Sequence, residues 1–269
     1  MSESAEKRGK IELREIHENP TLDEVWDLCV RNFLYDPQKY VGEVENIFNE
    51  AGIDRNSRIA DVSAGGGFPS IELIRQGYNV DCFDGFSASV FDKNAKESGV
   101  DVRCKSLLWQ ELPNAVSEGT YDFLFCRGNS FIFADGGWKG GEDIDRERAM
   151  GNYLKTLKIF AGMLKKGGHM YVDKFKDAEP GHREKLATIK VGGQNQDLVF
   201  WSQRFPERKT REVFMERVVA DEVVVQEKRA TYDLSEGELL SLMEQAGFSK
   251  MDKVDVQEEK HFDVWLAQK

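Results

Sequence analysis

Between residues 20 and 50 hydrophobic positions recur with a helical period, first as Leu22, Val25, Trp26 and Cys29, then as Tyr40, Val41, Val44, Ile47 and Phe48. Short apolar runs that predict strands follow near 58–62, 79–83, 100–104 and 121–126, with helical segments between them. A long amphipathic helix is predicted over 146–165. It closes on Lys165, Lys166, Gly167 and Gly168, basic residues and glycine being ordinary stop signals. The next strand spans 169–173. Strands that alternate with helices in this way predict a parallel sheet with right-handed crossovers.

After Asp177 the period changes. Residues 186–191, 197–205, 211–219 and 221–232 alternate with period two and are rich in Val, Phe, Thr and charged residues, so they read as antiparallel hairpins. A helix follows over 234–248, with a serine near its start and a glycine near its end, and then strand-like segments at 249–256 and 261–267. The expected organisation is a flexible N-terminus over 1–19, an α/β domain built from 20–179 plus 233–269, and an antiparallel β insertion over 180–232. The insertion falls after the fifth strand, where it can cover a binding site as a lid. No internal repeat or low-complexity tract is evident.

Composition narrows the function classes. The chain has 269 residues, of which 40% are hydrophobic, enough for one α/β domain with an insertion. No run approaches the ~20 apolar residues of a membrane span, so no membrane partner is expected. Residues 1–10 are polar and lack the apolar core of a signal peptide, which fits a cytoplasmic protein. Cys29, Cys82, Cys104 and Cys126 are scattered without a C-x-x-C pattern and read as buried free thiols, and no metal site is expected. Acidic residues number 48 against 37 basic ones, a net charge of −11 that works against a nucleic-acid partner. Arg204, Arg208, Lys209 and Arg211 form either a local basic patch or a solvated hairpin surface. The acidic excess also suits solubility at high salt.

Chemistry concentrates in two places. In the run from Ile59 to Ser70, a strand ends at Asp61 and passes into Gly65, Gly66 and Gly67 before a helix-like segment. Glycine is needed where backbone approaches a ligand with no Cβ in the way. A second strand then delivers Asp84, 23 positions after Asp61. That spacing suits a carboxylate bonded to the two hydroxyls of a ribose, so the chain reads as holding an adenosine-containing cofactor. The dinucleotide fingerprint would require a third glycine where Ser70 stands, and Asp84 has a plainer reading as a cap for the helix that follows. In the second place, residues 121–131, a strand leaves Arg127, Asn129 and Ser130 at its carboxyl end, where open α/β sheets bind ligands. Asn129 and Ser130 can also cap a turn, and Arg127 can serve as a surface ion-pair partner.

These segments resemble the class I S-adenosylmethionine (SAM) methyltransferases, in which an acidic residue closes the first strand ahead of the glycines. They resemble in particular the glycine/sarcosine N-methyltransferases that begin glycine betaine synthesis. The resemblance runs from about Trp26 to Asp177 and is strongest over 59–84 and 121–131. It implies a Rossmann-like α/β fold with a mostly parallel seven-stranded sheet and an antiparallel hairpin insertion, SAM as cofactor, and in-line methyl transfer to glycine or sarcosine. By the same resemblance Asp61, Ser63, Ala64, Gly65 and Gly67 shape the loop against SAM, and Asp84 with Gly85 takes the ribose. Ser106 and Leu107, before Trp109, lie beside the adenine. The backbone of Arg127 meets the amino group of SAM, and Trp26 and Arg31 close over the cofactor.

Asn129 is the candidate catalytic residue, orienting the lone pair of the amine. Tyr35, Asn129, Ser130, Trp138 and Lys174 are the candidate substrate-binding set, Trp138 either packing or walling the pocket for a methylated amine. The animal-type enzymes carry an arginine just after the fifth strand. Here Lys174 or Lys176 stands in that stretch and lacks the bidentate fork. Another small amine, dimethylglycine, or SAM binding without catalysis are the alternatives, and homo-oligomerisation is left open.

Overall fold

In the computed structural model, which describes residues 15–16, 29–30, 34–135, 144–176 and 183–269, the apolar runs of the first half become one parallel sheet. Strands β2 (Arg58–Asp61), β3 (Asn79–Cys82), β4 (Tyr121–Cys126) and β5 (Leu164–Phe175) pair in the order β5-β4-β2-β3. Strands β10 (Lys250–Val254) and β11 (Phe262–Gln268) complete the sheet, with β11 antiparallel to both β10 and β5. Tyr121, Phe123, Leu124, Phe125 and Cys126 are all buried. Such a continuous apolar run is what a parallel strand covered on both faces requires.

Helices cover the two faces. On one, α1 (Pro37–Ala51) sets Tyr40, Val44 and Phe48 against the sheet, with the Phe48 ring 5.0 Å from Phe123. Its start is fixed by Asp36, whose carboxylate accepts from the amides of Gln38 and Lys39, and by proline in the first turn. On the other face lie α5 (Arg146–Met163) and α6 (Glu236–Gln245), which bury Tyr153, Leu157, Phe160, Leu239 and Met243. A reciprocal box between Ser235 and Glu238 opens α6. Two shorter helices, α2 (Ser70–Arg75) and α3 (Ala88–Glu97), follow β2 and β3, and a single turn, α4 (Leu112–Ala115), precedes β4.

Among the described residues the sheet has six strands, where seven were expected. The segment at 100–104, which alternates like a strand, contributes only an isolated bridge between Phe83 and Lys105. Its ladder is cut short because the Cys104 amide donates to the Asp92 carboxylate at 2.9 Å. The helix expected to reach Lys165 ends at Met163, and β5 begins with Leu164. All four cysteines are buried free thiols. No described helix is long and apolar enough to cross a membrane.

The insertion forms a second sheet. Strands β6 (Glu184–Val191), β7 (Gln194–Phe205), β8 (Thr210–Val219) and β9 (Glu222–Tyr232) make an antiparallel meander close to the segments predicted. Its first position is taken by β1 (Glu15–Ile16), which pairs parallel with β6 and comes from the stretch expected to be flexible. Phe175 of β5 meets Phe200 of β7 at 5.8 Å and Phe262 of β11 at 5.0 Å, which seats the second sheet on the first. The basic cluster is neither a patch nor a wholly solvated surface. Arg211 is buried, and it and Arg204 both donate to the Asp233 carboxylate, at 3.1 and 2.7 Å.

Candidate functional site

The loop after β2 is built around Asp61. Its buried carboxylate accepts from the Ser63 amide at 3.1 Å and the Ser70 hydroxyl at 2.6 Å, tying the start of the loop to the start of α2. Burial pushes the Asp61 carboxyl up to about 6, against the opposing pull of those two hydrogen bonds. Gly65 and Gly67 carry φ of +50° and +103°, in the left-handed region where glycine is unstrained. They serve different ends. A Cβ on Gly67 would stand 2.4 Å from Ile71 Cδ1, so that glycine lets α2 pack. A Cβ on Gly65 would meet nothing nearer than the Ser63 carbonyl at 3.9 Å, which leaves bare backbone.

Asp84 caps the turn that follows and also reaches the glycine loop. Oδ1 accepts from the amides of Phe86 and Ser87 at 2.8 and 2.6 Å, as a cap does, while Oδ2 accepts from the Gly65 amide at 3.0 Å. A carboxylate oxygen has two lone pairs, so Oδ2 retains one for a further donor.

The exit of β4 is stitched to the same loop. Ser63 Oγ accepts from the Arg127 amide at 3.0 Å and donates to the Arg127 carbonyl at 3.4 Å. The Arg127 side chain is an ion-pair partner, but a buried one. Its guanidinium donates to the Tyr40 hydroxyl at 3.0 Å, the Phe68 carbonyl at 3.0 Å and Glu259 at 3.1 Å. It also lies within 5.3 Å of the Tyr35, Tyr40 and Phe68 ring centroids. Glu259 in turn accepts from the hydroxyls of Tyr35, Tyr40 and Tyr171. Burial alone would lower the Arg127 pKa, yet the tyrosines and Glu259 around it hold it well above its ordinary value. Beyond Arg127, the amides of Gly128 and Asn129 donate to Asp173 of β5 at 2.8 and 2.6 Å. Burial first, and then the Glu259 charge, raise the Asp173 carboxyl. Asn129 sits at φ +56°, and its side-chain carbonyl accepts from the Phe175 amide at 3.4 Å.

Over these strand ends lies a cavity of ≈ 800 Å³. Ser63, Ala64, Gly65, Asp84, Gly85 and Leu107 line one part of it, with Tyr35, Arg127 and Ser130 beside them. The insertion lines the other part with Phe200, Val213, Met215, Glu227 and Arg229.

No family model matches the chain. It is 31% identical over 120 residues to the glycine/sarcosine/dimethylglycine N-methyltransferase of Actinopolyspora halophila, a match that covers 43% of this chain and 18% of that protein. It is 32% identical over 103 residues to the glycine/sarcosine N-methyltransferase of Parasynechococcus marenigrum, covering 37% of this chain and 34% of the relative. The chain thus spans about a fifth to a third of the length of these curated relatives. Solved structures match far more of it at lower identity. A sugar N-methyltransferase from Streptoalloteichus sp. superposes with a TM-score of 0.66 at 15% identity, covering 93% of this chain and 95% of that one. A SAM-bound amino pentose methyltransferase from Micromonospora echinaspora gives 0.65 at 15% identity, with 94% and 99% covered. The fold is that of the SAM-dependent methyltransferases.

Within that methyltransferase fold, nine of the residues singled out in the sequence meet at the cavity wall: Tyr35, Ser63, Ala64, Gly65, Asp84, Gly85, Leu107, Arg127 and Ser130. Others stand off it. Asp61 and Gly67 shape the loop from behind, Ser106 is exposed, and Asn129 joins β4 to β5. Lys174 Nζ donates to the Phe175 carbonyl at 3.1 Å, and Lys176 Nζ to the Glu259 carbonyl at 3.0 Å. Trp26, Arg31 and Trp138 lie outside the described residues. Sequence reasoning missed Phe133 and, although it expected the insertion to cover the site, named none of the insertion's residues at the cavity. The signal was present in the alternation over 211–232, which places Val213, Met215, Glu227 and Arg229 on one face. Nothing in the sequence marked Glu259.

Proposed function

We propose that the chain binds SAM in this cavity and methylates the amine of glycine and sarcosine, the reactions that open glycine betaine synthesis. One observation carries the reading: the bare backbone of Gly65, the spare lone pair of Asp84 Oδ2 and the Arg127 backbone all face a single cavity at the ends of β2, β3 and β4. The residues present fit the cofactor. In this reading Asp84 takes a ribose hydroxyl, Leu107 gives an apolar surface for an adenine, and the Arg127 carbonyl, whose contacts from Ser63 Oγ and the Ser130 amide are both long at 3.4 Å, accepts from an ammonium. The partial sequence match to glycine/sarcosine N-methyltransferases supports the choice of acceptor.

When bound, SAM supplies an electrophilic methyl group that needs no activation. The work left to the chain is alignment, which accounts for about 7–11 kcal/mol of barrier where two reactants are held in line. Gly65, Asp84 and the Arg127 backbone hold one partner, and Ser130 and the insertion face the other. Asn129 takes a positioning role, its amide and side chain tying residues 127–130 to β5. The insertion over 180–232 serves as the lid, and Phe200, Val213 and Met215 exclude water from the acceptor end.

The test is release of S-adenosylhomocysteine from SAM with glycine, sarcosine and dimethylglycine supplied separately, at low and high salt. Turnover on glycine or sarcosine is expected. Turnover on dimethylglycine alone would move the chain to a later methylation, and SAM binding with silence on every amine would remove the enzymatic reading.

A further inference from the structure

The insertion brings two opposite charges to the cavity side by side. Strand β9 pairs with β8 in a register that sets Glu227 opposite Met215 and Arg229 opposite Val213. All four line the cavity. Arg229 Nη2 reaches Glu227 Oε2 at 3.4 Å, a single long contact between side chains that are 30% and 41% exposed.

The neighbouring cations are engaged elsewhere. Arg127 is held by Glu259, Tyr40 and the Phe68 carbonyl. Lys228, between Glu227 and Arg229 on β9, also lines the cavity, but its ammonium pairs with Glu212 at 2.8 Å. Arg204 and Arg211 converge on Asp233, while Lys174 and Lys176 donate to backbone carbonyls. Among the described basic residues at the cavity wall, Arg229 is the one whose charge faces another wall residue across a long contact.

We propose that Arg229 and Glu227 are the polar subsite for the acceptor, Arg229 receiving its carboxylate and Glu227 its ammonium, which releases one proton to solvent before the freed lone pair is methylated, so that the substrate class is a small zwitterionic amino acid. This rests on the methyltransferase reading and assigns the carboxylate clamp to the lid in place of the fifth strand. A guanidinium presents two parallel donors to a carboxylate, which lysine cannot do. The resting pair is a template for the ligand, since a zwitterion replaces each partner by a group of the same charge. An amine without a carboxylate leaves Arg229 with its long contact alone, which is a basis for discrimination. The apolar Val213 and Met215 stand opposite the pair on β8.

The experiment is steady-state kinetics of the full chain and of Arg229→Met, Arg229→Lys and Glu227→Gln with glycine, sarcosine, methylamine and ethanolamine. SAM affinity of each is measured by calorimetry as a check on folding. Arg229→Met is expected to raise the KM for both amino acids about tenfold or more, with SAM affinity unchanged and no loss on the two carboxylate-free amines. Arg229→Lys, which keeps the charge and stem, recovers part of that loss. Should the methionine variant fail to bind SAM, the lysine variant decides, with an expected rise of about threefold or more. A parental KM for glycine and sarcosine in the folded variant overturns the subsite. A parent chain active on methylamine but not on amino acids also overturns it while sparing the methyltransferase reading. A parent inactive on every amine removes both.

Discussion

Asp61 and Asp84 are both acidic residues that follow a strand, and burial gives them different work. Asp84 keeps an oxygen toward the cavity, whereas Asp61 is sealed behind the loop and anchors Ser63 and Ser70. Spacing along the chain shows that two carboxylates flank the glycines, but it carries no information on which side of the backbone each one lies. The sealed carboxylate has a measurable signature. Its pKa of about 6 lies above the ordinary 3.8, so between those values the folded chain holds a proton that the unfolded chain has released. The stability this contributes is fully present below pH 3.8 and is lost as pH rises through about 6. In Asp61→Asn the amide can still accept from one partner and donate to the Ser70 oxygen. Urea unfolding of parent and variant across this window is expected to show the parent losing on the order of 2–3 kcal/mol relative to the variant as pH rises. A constant difference would show that Asp61 is ionised throughout.

The glycine loop and the elements around it show what can be read from pattern and what cannot. Gly65, Gly66 and Gly67 form one motif in the sequence, yet a methyl group would meet a different fate at its two ends. Gly67→Ala drives a Cβ toward Ile71 and Phe91 at φ +103° and is expected to cost about 1–3 kcal/mol in chemical denaturation. Gly65→Ala finds open space at φ +50° and is expected to cost about 1 kcal/mol of stability, while weakening SAM tenfold or more by calorimetry. Equal losses of SAM affinity per unit of lost stability would refute this division of labour. The four hairpin strands were legible because alternation with one apolar face survives in every register. The two-residue β1 is too short to show a period, and the run at 100–104 has the alternation of a strand but loses its amide to Asp92. Those outcomes depend on partners distant in sequence, which local pattern does not record.

Across the whole molecule the Arg127–Glu259 pair joins parts that are remote in the chain: the end of β4, the first turn of α1 through Tyr40, β5 through Tyr171, and the loop between β10 and β11. Arg127 was visible in the sequence by its place after a strand, whereas its partner lies 132 residues further on in a run of polar residues. Arg127→Met strands a buried carboxylate and is expected to destabilise the fold by about 3–5 kcal/mol in urea unfolding. The double variant with Glu259→Gln is expected to recover part of that loss, and strict additivity would mean that the two groups do not act as a pair. The same contact bears on how the protein is made. β11 lies inside the sheet, between β10 and β5, although it is the last of the described strands in the chain. While a ribosome still holds the residues beyond Val254, β5 presents an open edge, and the arginine at the end of β4 has no carboxylate to meet. An emerging chain in that state carries both a sticky strand edge and an uncompensated charge, so arrest of translation near residue 255 yields an aggregation-prone species that completion of β11 resolves.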